Sequence, residues 1–498
     1  MMTHEVRVRI APSPTGYLHV GTARTAVFNW LFARHNDGQF VVRIEDTDIE
    51  RSKPELIEPI FAAMKWLGLD WDEEPIYQSK RMDRYKPYIE KLLAGGHAYR
   101  CFCTREELEE ARKKAMAEKA PLQYSKKCRH LPDDQIAERL EKKMPFAVRL
   151  AIPEGETSYG DLVFGTITKQ NTEIEDFVIC RADGSAVYNM AVVIDDHEMG
   201  ITHVIRGNDH ISNTFKQVHI YRALGLDIPE FAHVPLILRP DKKKVSKRLG
   251  DKDVAEYGGE GILPEALFNF LCLLGWSPKD DREYLPRDEL VKIFLLENVN
   301  KANPIFNEEK LLALNQEYIM KKPDHEIAAM VAPMLVAAGY TTKYWLETRW
   351  DYLMKIVNML KVRCRRMTDF VAKSDYFFHS DFGYDPKAAD KRFNGEGRQF
   401  LIDLVKRFEQ MDDFKKEGIE GALDEVAEKL GVKRGKLIHP VRLAVSGVSE
   451  GPGLFDILEA IGKDETLKRI HKAIEFIESK GGQDAGENKE AGERNKRA

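Results

Sequence analysis

A histidine near the amino terminus and a distant run of lysines are residue types suited to phosphate chemistry. His19 precedes Val20-Gly21-Thr22, where apolar residues begin to recur with helical spacing. Unpaired N–H groups at a helix start favour an anion, and an imidazole there can donate a hydrogen bond to a phosphate as its charge builds up. Gly21 lacks a Cβ atom, so a nucleotide base can approach the backbone. The competing interpretation is a histidine that only caps or packs.

The lysine run is Lys242-Lys243-Lys244-Val245-Ser246-Lys247-Arg248, which follows the apolar segment Val234 to Leu238. Alone, such a run is typical of a solvated surface loop. Together with the histidine segment, it indicates a mobile basic loop that closes over a triphosphate and supplies charge to the α- and β-phosphates.

Two strands and a helix must position the histidine. Residues 6–10 alternate as a strand does and stop at Ala11-Pro12-Ser13-Pro14-Thr15-Gly16, while residues 39–44 form a second strand after the helix. Prolines and a glycine cannot continue a strand ladder. A strand, loop, helix, strand unit makes a parallel pair and binds ligands at the carboxyl ends of its strands. His19 is therefore expected where phosphate should lie.

Four further segments carry a resemblance to a known family. They are Arg9-Ile10-Ala11-Pro12-Ser13-Pro14-Thr15-Gly16, Arg43-Ile44-Glu45-Asp46-Thr47-Asp48, Val204-Ile205-Arg206-Gly207-Asn208-Asp209-His210 and Gly451-Pro452-Gly453-Leu454-Phe455. These segments, with the histidine and lysine motifs, resemble the bacterial-type glutamyl-tRNA synthetases, which are class I aminoacyl-tRNA synthetases. The resemblance spans residues 5–475. Thr22, Val245 and Arg248 depart from the general class signatures in ways typical of the glutamyl branch.

The resemblance implies an α/β Rossmann-like catalytic domain with an inserted α/β acceptor-binding domain, followed by a mainly α-helical carboxyl-terminal half. Helical spacing of apolar residues after about residue 250 agrees with the last part. The expected Rossmann halves are residues 1–86 and 191–245, with the insertion at 87–190. We expect a stem-contact domain at 246–330, which begins with the lysine loop, a helical anticodon-binding domain at 331–480 and a disordered tail at 481–498.

The implied reaction attaches L-glutamate to the 3′ end of tRNA(Glu) at the expense of ATP, through a glutamyl-adenylate intermediate. The resemblance implies that His19, Lys244 and Lys247 are catalytic, with Lys247 the principal ATP contact, and that Gly21 and Ser246 also bind ATP. Magnesium is expected with ATP, held mainly by phosphate oxygens and water. No side-chain nucleophile is required, because positioning and charge stabilisation supply most of the rate enhancement.

The glutamate pocket follows from charge matching. Glutamate has two carboxylates and one ammonium, so its pocket needs a forked cation and an anion. Arg9 can offer the fork at the end of the first strand, and Glu45 can hold the ammonium at the end of the second. The resemblance adds Ala11, Ser13, Tyr188 and Arg206. The simpler alternatives are an outward-facing Arg9, a capping or ion-paired Glu45, a core aromatic at Tyr188 and a surface residue at Arg206.

A cysteine cluster suggests a metal site. Cys101-Phe102-Cys103 and Cys128-Arg129-His130 bracket a charged stretch within the expected insertion. Three cysteines and a histidine can form a tetrahedral zinc set, and the tight first spacing resembles the zinc site of some glutamyl-tRNA synthetases. Ordinary reduced cysteines are the alternative. If zinc binds, we expect one structural ion per chain.

Length, cysteine content and charge limit the class of protein that this chain can be. A chain of 498 residues needs several domains, and six cysteines are too few for a disulfide framework. We predict a monomeric, cytoplasmic protein without a signal peptide or membrane span. The net charge is −5, but basic residues form three clusters, at residues 242–252, 361–366 and 429–442. Such clusters fit RNA, or else solvated helix faces. Candidates for the anticodon contact are Arg363, Arg365, Arg366 and Arg442.

Three other functions stay open at this point. A small-molecule nucleotidyl transferase would share the phosphate loop but not need the helical half. A glutamyl transferase that modifies a tRNA base would lack the anticodon domain. A catalytically inactive paralogue would be expected to lose His19 or Lys247. The sequence leaves undecided whether tRNA(Gln) is a second substrate and whether activation requires bound tRNA.

Overall fold

The computed structural model describes residues 5–48, 52–118, 123–245 and 252–494, with side chains as far as residue 480. The chain divides into two compact units, Met1–Gly259 with Pro264–Leu314, and Glu260–Leu263 with Asn315–Ala498. The finer domain bounds expected from the sequence stay predictions. Ser246, Lys247 and Arg248 lie outside the described residues.

All strands of the described residues belong to the first unit. In chain order they are β1 (Arg7–Ile10), β2 (Gln39–Ile44), β3 (Ile76–Tyr77), β4 (Ala98–Cys101), β5 (Ala147–Leu150), β6 (Glu156–Asp161), β7 (Gly165–Gln170), β8 (Val178–Cys180), β9 (His203–Gly207) and β10 (Glu230–Val234).

The first sheet confirms the predicted parallel unit. Its order is β1-β2-β3, and β1 pairs parallel to β2 in the register that sets Arg9 beside Val41. The intervening helix α1 (Val20–His35) is buried on most of its surface, including Val27, Phe28 and Leu31. Asn29 is buried there because its amide donates to the Ile205 carbonyl at 3.0 Å. The carboxyl ends of β1 and β2 therefore share one edge, as expected.

A second sheet is also mainly parallel. Its order is β7-β6-β10-β9, with β9, β10 and β6 parallel and β7 antiparallel. The Thr202 N–H, directly before β9, donates to the Arg7 carbonyl at 2.9 Å, which links β9 to β1. The hairpin β6–β7 comes from within residues 87–190, so part of the expected insertion extends the sheet of the nucleotide fold. Strands β4, β5 and β8 form a separate antiparallel sheet.

Helices surround these sheets and dominate the rest of the chain. Up to residue 293 they are α1, α2 (Ile57–Trp66), α3 (Met82–Ala94), α4 (Arg105–Ala117), α5 (Asp133–Glu141), α6 (Tyr188–Glu198), α7 (Ile211–Leu224), α8 (Val254–Gly259), α9 (Pro264–Leu273) and α10 (Arg287–Ile293). The core of the first unit includes Tyr85, Leu150, Ile179, Val193 and Phe231.

The helical carboxyl half is confirmed. Its helices are α11 (Glu308–Lys321), α12 (Asp324–Ala337), α13 (Lys343–Thr348), α14 (Trp350–Lys361), α15 (Thr368–Ala372), α16 (Asp375–Phe378), α17 (Pro386–Arg392), α18 (Gly395–Glu409), α19 (Lys416–Lys429), α20 (Gly435–Ser446), α21 (Leu454–Ile461) and α22 (Lys463–Arg494). Helix α22 enters the segment for which the sequence predicts disorder. Extending an existing helix is easier than nucleating one, and Glu, Lys and Ala favour it. Among the described residues, no helix has the length and apolar character needed to cross a bilayer.

Candidate active site and metal centre

A cavity of about 800 Å³ opens at the carboxyl ends of β1, β2 and β9. The loop after β1, the start of α1 and the segment after β10 all contribute to its wall. Every predicted ATP and glutamate residue that lies within the described residues lines it: Arg9, Ala11, Ser13, His19, Gly21, Glu45, Tyr188, Arg206 and Lys244. The histidine and lysine motifs therefore meet at one cavity.

His19 is the N-cap of α1. Its Nδ1 accepts from the backbone N–H of Gly21 at 3.1 Å and of Thr22 at 3.4 Å, so Nδ1 carries no proton and Nε2 does. Nε2 lies 3.1 Å from the Thr22 hydroxyl. The capping interpretation of His19 is thus correct, and it coexists with a place in the cavity wall. Thr22, which departs from the general class signature, thus contacts the imidazole.

The described part of the lysine run pairs with residues 237–239 through an isolated antiparallel bridge. The Arg239 N–H donates to the Lys243 carbonyl at 2.8 Å, and the Val245 N–H donates to the Ile237 carbonyl at 3.1 Å. This pairing brings Lys244 to the cavity, where its Nζ donates to Asp209 Oδ2 at 2.7 Å. Both side chains are about half exposed, so water weakens this ion pair and a stronger anion can compete for the lysine.

Arg9 is buried, which excludes the outward-facing alternative. It is 4% exposed, and its Nε donates to Asp196 Oδ1 at 3.0 Å. The same carboxylate accepts from Arg43 Nη1 at 2.6 Å, and Arg43 Nη2 donates to Glu45 at 3.1 Å. Glu45 is therefore an ion-pair partner as well as part of the cavity wall. Asp196 holds the Arg9 guanidinium from behind the cavity.

Arg206 is also buried rather than on the surface, at 6% exposed. Tyr188 stands at the first position of α6, and its hydroxyl lies 3.2 Å from His210 Nδ1. Burial, with the nearby Glu45 carboxylate, raises the pKa of Tyr188 to about 12, so the hydroxyl stays protonated. Tyr188 is thus more than a core aromatic, because its hydroxyl is available as a donor or acceptor at the cavity.

The electrostatics of the cavity favour a ligand with more than one negative charge. Burial lowers the pKa of Arg206, and the positive charge of Arg9 lowers it further. Burial raises the pKa of Glu45 despite the opposite effect of Arg43 and Arg9. Two cations in one buried site attract carboxylates, and a ligand ammonium would stabilise the charged form of Glu45.

Three cysteines form the predicted cluster. The Sγ atoms of Cys101, Cys103 and Cys128 all lie within 4.8 Å of one another, and those of Cys103 and Cys128 are 3.6 Å apart. Tyr124 is the fourth side chain here. Its Oη accepts from Cys101 Sγ at 3.3 Å and lies 3.5 Å from Cys103 Sγ. Tetrahedral zinc ligands are about 3.3–3.8 Å apart, given zinc–ligand bonds of about 2.0–2.3 Å, and the three thiols could hold a metal ion.

His130 does not join this group, contrary to the expected ligand set. It is exposed, at the end of a turn over residues 127–130. Within that turn Cys128 points inward, and its backbone N–H donates to Tyr124 Oη at 3.1 Å. Arg129 is held toward Asp176 by an ion pair of 3.1 Å. The ring nitrogens of His130 are therefore not part of the group of ligand atoms that lie within 4.8 Å of one another.

The candidate tRNA residues of the second unit are only partly brought together. Burial lowers the pKa of Arg442, and the positive charge of Arg363 lowers it further. Arg442 also donates to the Pro452 carbonyl at 2.6 Å. Arg366 lies 3.6 Å from Glu260, and the backbone N–H of Arg365 donates to Asp369 at 2.7 Å. Their role in RNA binding stays a prediction.

Sequence reasoning missed several polar residues behind the cavity. Asp195 and Asp196 are adjacent carboxylates in the otherwise apolar stretch of α6, and both are buried. Such a pair is a detectable signal, because buried carboxylates need cationic or hydrogen-bonding partners. Tyr124, four residues before Cys128, carries a weaker signal. For Thr214 and His233, a single sequence contains no signal that would identify them.

Comparisons with known proteins agree with this geometry. Residues 5–313 match the catalytic domain of class I tRNA synthetases (E and Q), and residues 326–474 match an anticodon binding domain. The chain is 49% identical over 471 residues to a glutamate–tRNA ligase of Thermodesulfovibrio yellowstonii, which covers 94% of this chain and 99% of that protein. It is 44% identical to glutamate–tRNA ligase 2 of Thermoanaerobacter pseudethanolicus, over 95% and 99% of the two chains.

A solved structure of a glutamate tRNA ligase is also similar to this chain. The crystal structure of a glutamate tRNA ligase from Elizabethkingia meningosepticum in complex with its amino acid is 36% identical to this chain, with a TM-score of 0.88, and the match covers 95% of this chain and 100% of that one. The anticodon-domain match separates this chain from relatives that modify a tRNA base, for which we expected no such domain.

Proposed function

This chain belongs to the class I tRNA synthetases (E and Q) and has glutamate–tRNA ligase activity, and from that premise we propose how its side chains bind the substrates and activate glutamate. The observation that carries the proposal is the single cavity lined by His19, Lys244 and the charged residues Arg9, Glu45 and Arg206. ATP, glutamate and tRNA(Glu) are the substrates. In the first step, the α-carboxylate of glutamate attacks the α-phosphate of ATP and pyrophosphate leaves.

Arg9 and Arg206 bind the carboxylates of glutamate, and Glu45 binds its ammonium. Support comes from the burial of both guanidinium groups in one cavity, because a desolvated guanidinium pairs strongly with a carboxylate. Tyr188 supplies a hydroxyl, and Ala11 and Ser13 supply backbone groups of the loop that follows β1. Glutamine would leave one guanidinium poorly matched, which disfavours it.

His19 and the lysine run bind the phosphates. The Nε2–H of His19, at the amino end of α1, donates to an ATP phosphate, while Gly21 leaves room beside the imidazole. Lys244 exchanges its contact with Asp209 for a phosphate oxygen. Lys247 and Ser246, which lie outside the described residues, complete the ATP site. Mg²⁺ enters with ATP on the phosphate oxygens, and the protein supplies position and charge.

In the second step, a terminal ribose hydroxyl of tRNA attacks the carbonyl carbon of glutamyl-adenylate, and AMP leaves. We assign tRNA contact to Arg363, Arg365, Arg366 and Arg442 in the second unit, within the segment that matches an anticodon binding domain. Whether tRNA(Gln) is also charged depends on these contacts, and side-by-side aminoacylation of the two tRNAs decides it.

A structural zinc ion would be held by Cys101, Cys103, Cys128 and Tyr124. Its chemical role would be to tie together two segments of residues 98–130, with no part in the reaction. The support is that the Tyr124 hydroxyl lies 3.3 Å from Cys101 Sγ and 3.5 Å from Cys103 Sγ, and that Cys103 Sγ lies 3.6 Å from Cys128 Sγ, separations close to those of tetrahedral zinc ligands.

The test is pyrophosphate exchange with glutamate and ATP, measured with and without tRNA(Glu). His19→Ala and Lys247→Ala should reduce exchange by about a hundredfold or more and leave tRNA affinity nearly unchanged. Lys243→Ala is the matched control, since Lys243 belongs to the same run but is 70% exposed and lies near Asp241. Equal losses in exchange and tRNA affinity would mean that His19 and Lys247 are structural.

A further inference from the structure

Arg206 is held in place by three residues that do not line the cavity. Its Nη2 donates to Thr214 Oγ1 at 2.6 Å and to Gln217 Oε1 at 2.7 Å, and its Nε donates to His233 Nε2 at 3.4 Å. Among the described residues, its buried Nη1 has no hydrogen-bond partner. A buried guanidinium nitrogen without a partner is costly, and Nη1 is therefore the nitrogen left for a ligand carboxylate.

The contacts continue away from the cavity. The Thr214 hydroxyl lies 2.9 Å from His233 Nε2, and His233 Nδ1 lies 2.6 Å from Asp161 Oδ2. Asp161 also accepts from the backbone N–H groups of His233 at 3.0 Å and of Phe164 at 2.8 Å. Asp161, Thr214 and His233 are each at most 5% exposed, so water does not compete for these contacts.

The chemistry of Arg206 sets the tautomer of His233. A guanidinium only donates, so His233 Nε2 must accept and the imidazole proton resides on Nδ1, which donates to Asp161. Thr214 Oγ1 accepts from Arg206, and its single proton has two acceptors within reach, His233 Nε2 at 2.9 Å and the His210 carbonyl at 3.2 Å. These contacts connect the guanidinium cation to the Asp161 carboxylate through Thr214 and His233. Burial also lowers the pKa of His233, which agrees with a neutral imidazole.

We propose that Thr214, His233 and Asp161 are positioning residues that orient Arg206 and thereby set the affinity for glutamate. The inference rests on the proposed function, because it requires Arg206 to bind a substrate carboxylate. Asp161 ends β6, within the segment that the sequence assigns to an insertion for the acceptor stem, while His233 lies on β10. The parallel pairing of β6 with β10, at Asp161 and Phe231, is what brings the carboxylate to the imidazole.

The test compares Thr214→Val, which removes only the hydroxyl, with Thr214→Ser, which retains it. In pyrophosphate exchange with the full chain and tRNA(Glu), Thr214→Val should raise the KM for glutamate about tenfold, as expected for one hydrogen bond to a charged group. The KM for ATP should change less than about twofold, and Thr214→Ser should restore the glutamate KM to within about threefold of wild type. Thr214→Ala replaces Thr214→Val if the latter does not fold.

Two outcomes would overturn the proposal. An unchanged glutamate KM in Thr214→Val would show that the chain does not orient Arg206, and equal changes for glutamate and ATP would show a general structural role. Arg206→Lys separates these failures from a failure of the proposed function. If Arg206→Lys raises the glutamate KM and Thr214→Val does not, only the positioning role is wrong. If Arg206→Lys leaves it unchanged, both assignments are wrong.

Discussion

The backbone N–H of Gly21 donates a hydrogen bond of 3.1 Å to Nδ1 of His19. This contact folds the imidazole back over the first turn of α1, and the absence of a side chain at Gly21 makes room for it. A Cβ atom at residue 21 would stand 3.0 Å from His19 Cε1 and 3.1 Å from Nδ1. Gly21 thus leaves the space that the His19 imidazole occupies.

Gly21→Ala should therefore displace the imidazole and reduce pyrophosphate exchange by about tenfold to a hundredfold, since small misplacements of reacting groups are costly. Gly435→Ala is the matched control, because Gly435 begins helix α20 and a Cβ atom there meets nothing within 4 Å. Equal activity of the two variants would show that the imidazole position is unimportant for activation.

Arg9→Ala should raise the KM for glutamate about tenfold or more, because a charge-assisted pair with a carboxylate is lost. The KM for ATP should change much less. Arg7→Ala is a control on the same strand, since Arg7 pairs with Glu73 at 2.6 Å and is not in the cavity wall. An unchanged KM for glutamate in Arg9→Ala would show that Arg9 does not bind glutamate.

Asp196→Asn should lower the free energy of unfolding by about 3 kcal/mol, because it leaves the buried Arg9 without its carboxylate partner and Arg43 with Glu45 alone. Urea denaturation at neutral pH measures this. Glu138→Gln, which breaks an exposed pair with Lys142, should change stability very little. If Asp196→Asn lowers the free energy of unfolding no more than Glu138→Gln does, Asp196 is not an essential buried counter-charge.

The stability difference between wild type and Asp196→Asn should also depend on pH. Burial alone would raise the pKa of Asp196, but Arg43 and Arg9 outweigh it and lower the pKa below its ordinary value. The carboxylate therefore stabilises the fold at neutral pH, and this contribution is lost only as the pH falls below about 4. The stability difference between wild type and Asp196→Asn should be constant from neutral pH to about pH 5 and should narrow below about pH 4.

Zinc content distinguishes the two candidates for the fourth ligand. His130→Ala should retain about one zinc per chain, whereas Tyr124→Phe should bind zinc more weakly and Cys128→Ser should lose it. Atomic absorption after dialysis against a mild chelator gives the measurement. Loss of zinc in His130→Ala with retention in Tyr124→Phe would restore the ligand set expected from the sequence.

Charge clusters illustrate the limit of sequence reasoning. Lys361, counted in a basic cluster for RNA, is buried and pairs with Asp324 at 2.8 Å. Arg434 and Lys436 of the next cluster pair with Glu420 at 2.6 Å and Glu396 at 2.9 Å. The acidic partners lie elsewhere in the chain, so a run of basic residues does not establish a free basic surface.

The local pattern of this chain was enough to predict the parallel strand, helix, strand unit and the helical carboxyl half, whereas the meeting of His19 with Lys244 was predicted from two distant motifs together with the family resemblance. Alternation, helical spacing and motif residues are properties of neighbouring positions, and a parallel unit places its loops at one sheet edge. Tertiary structure alone decided which groups stand behind the cavity. Asp161 reaches His233, and Asp196 reaches Arg9, through contacts between distant segments whose partners depend on strand order and burial, which short-range spacing does not encode.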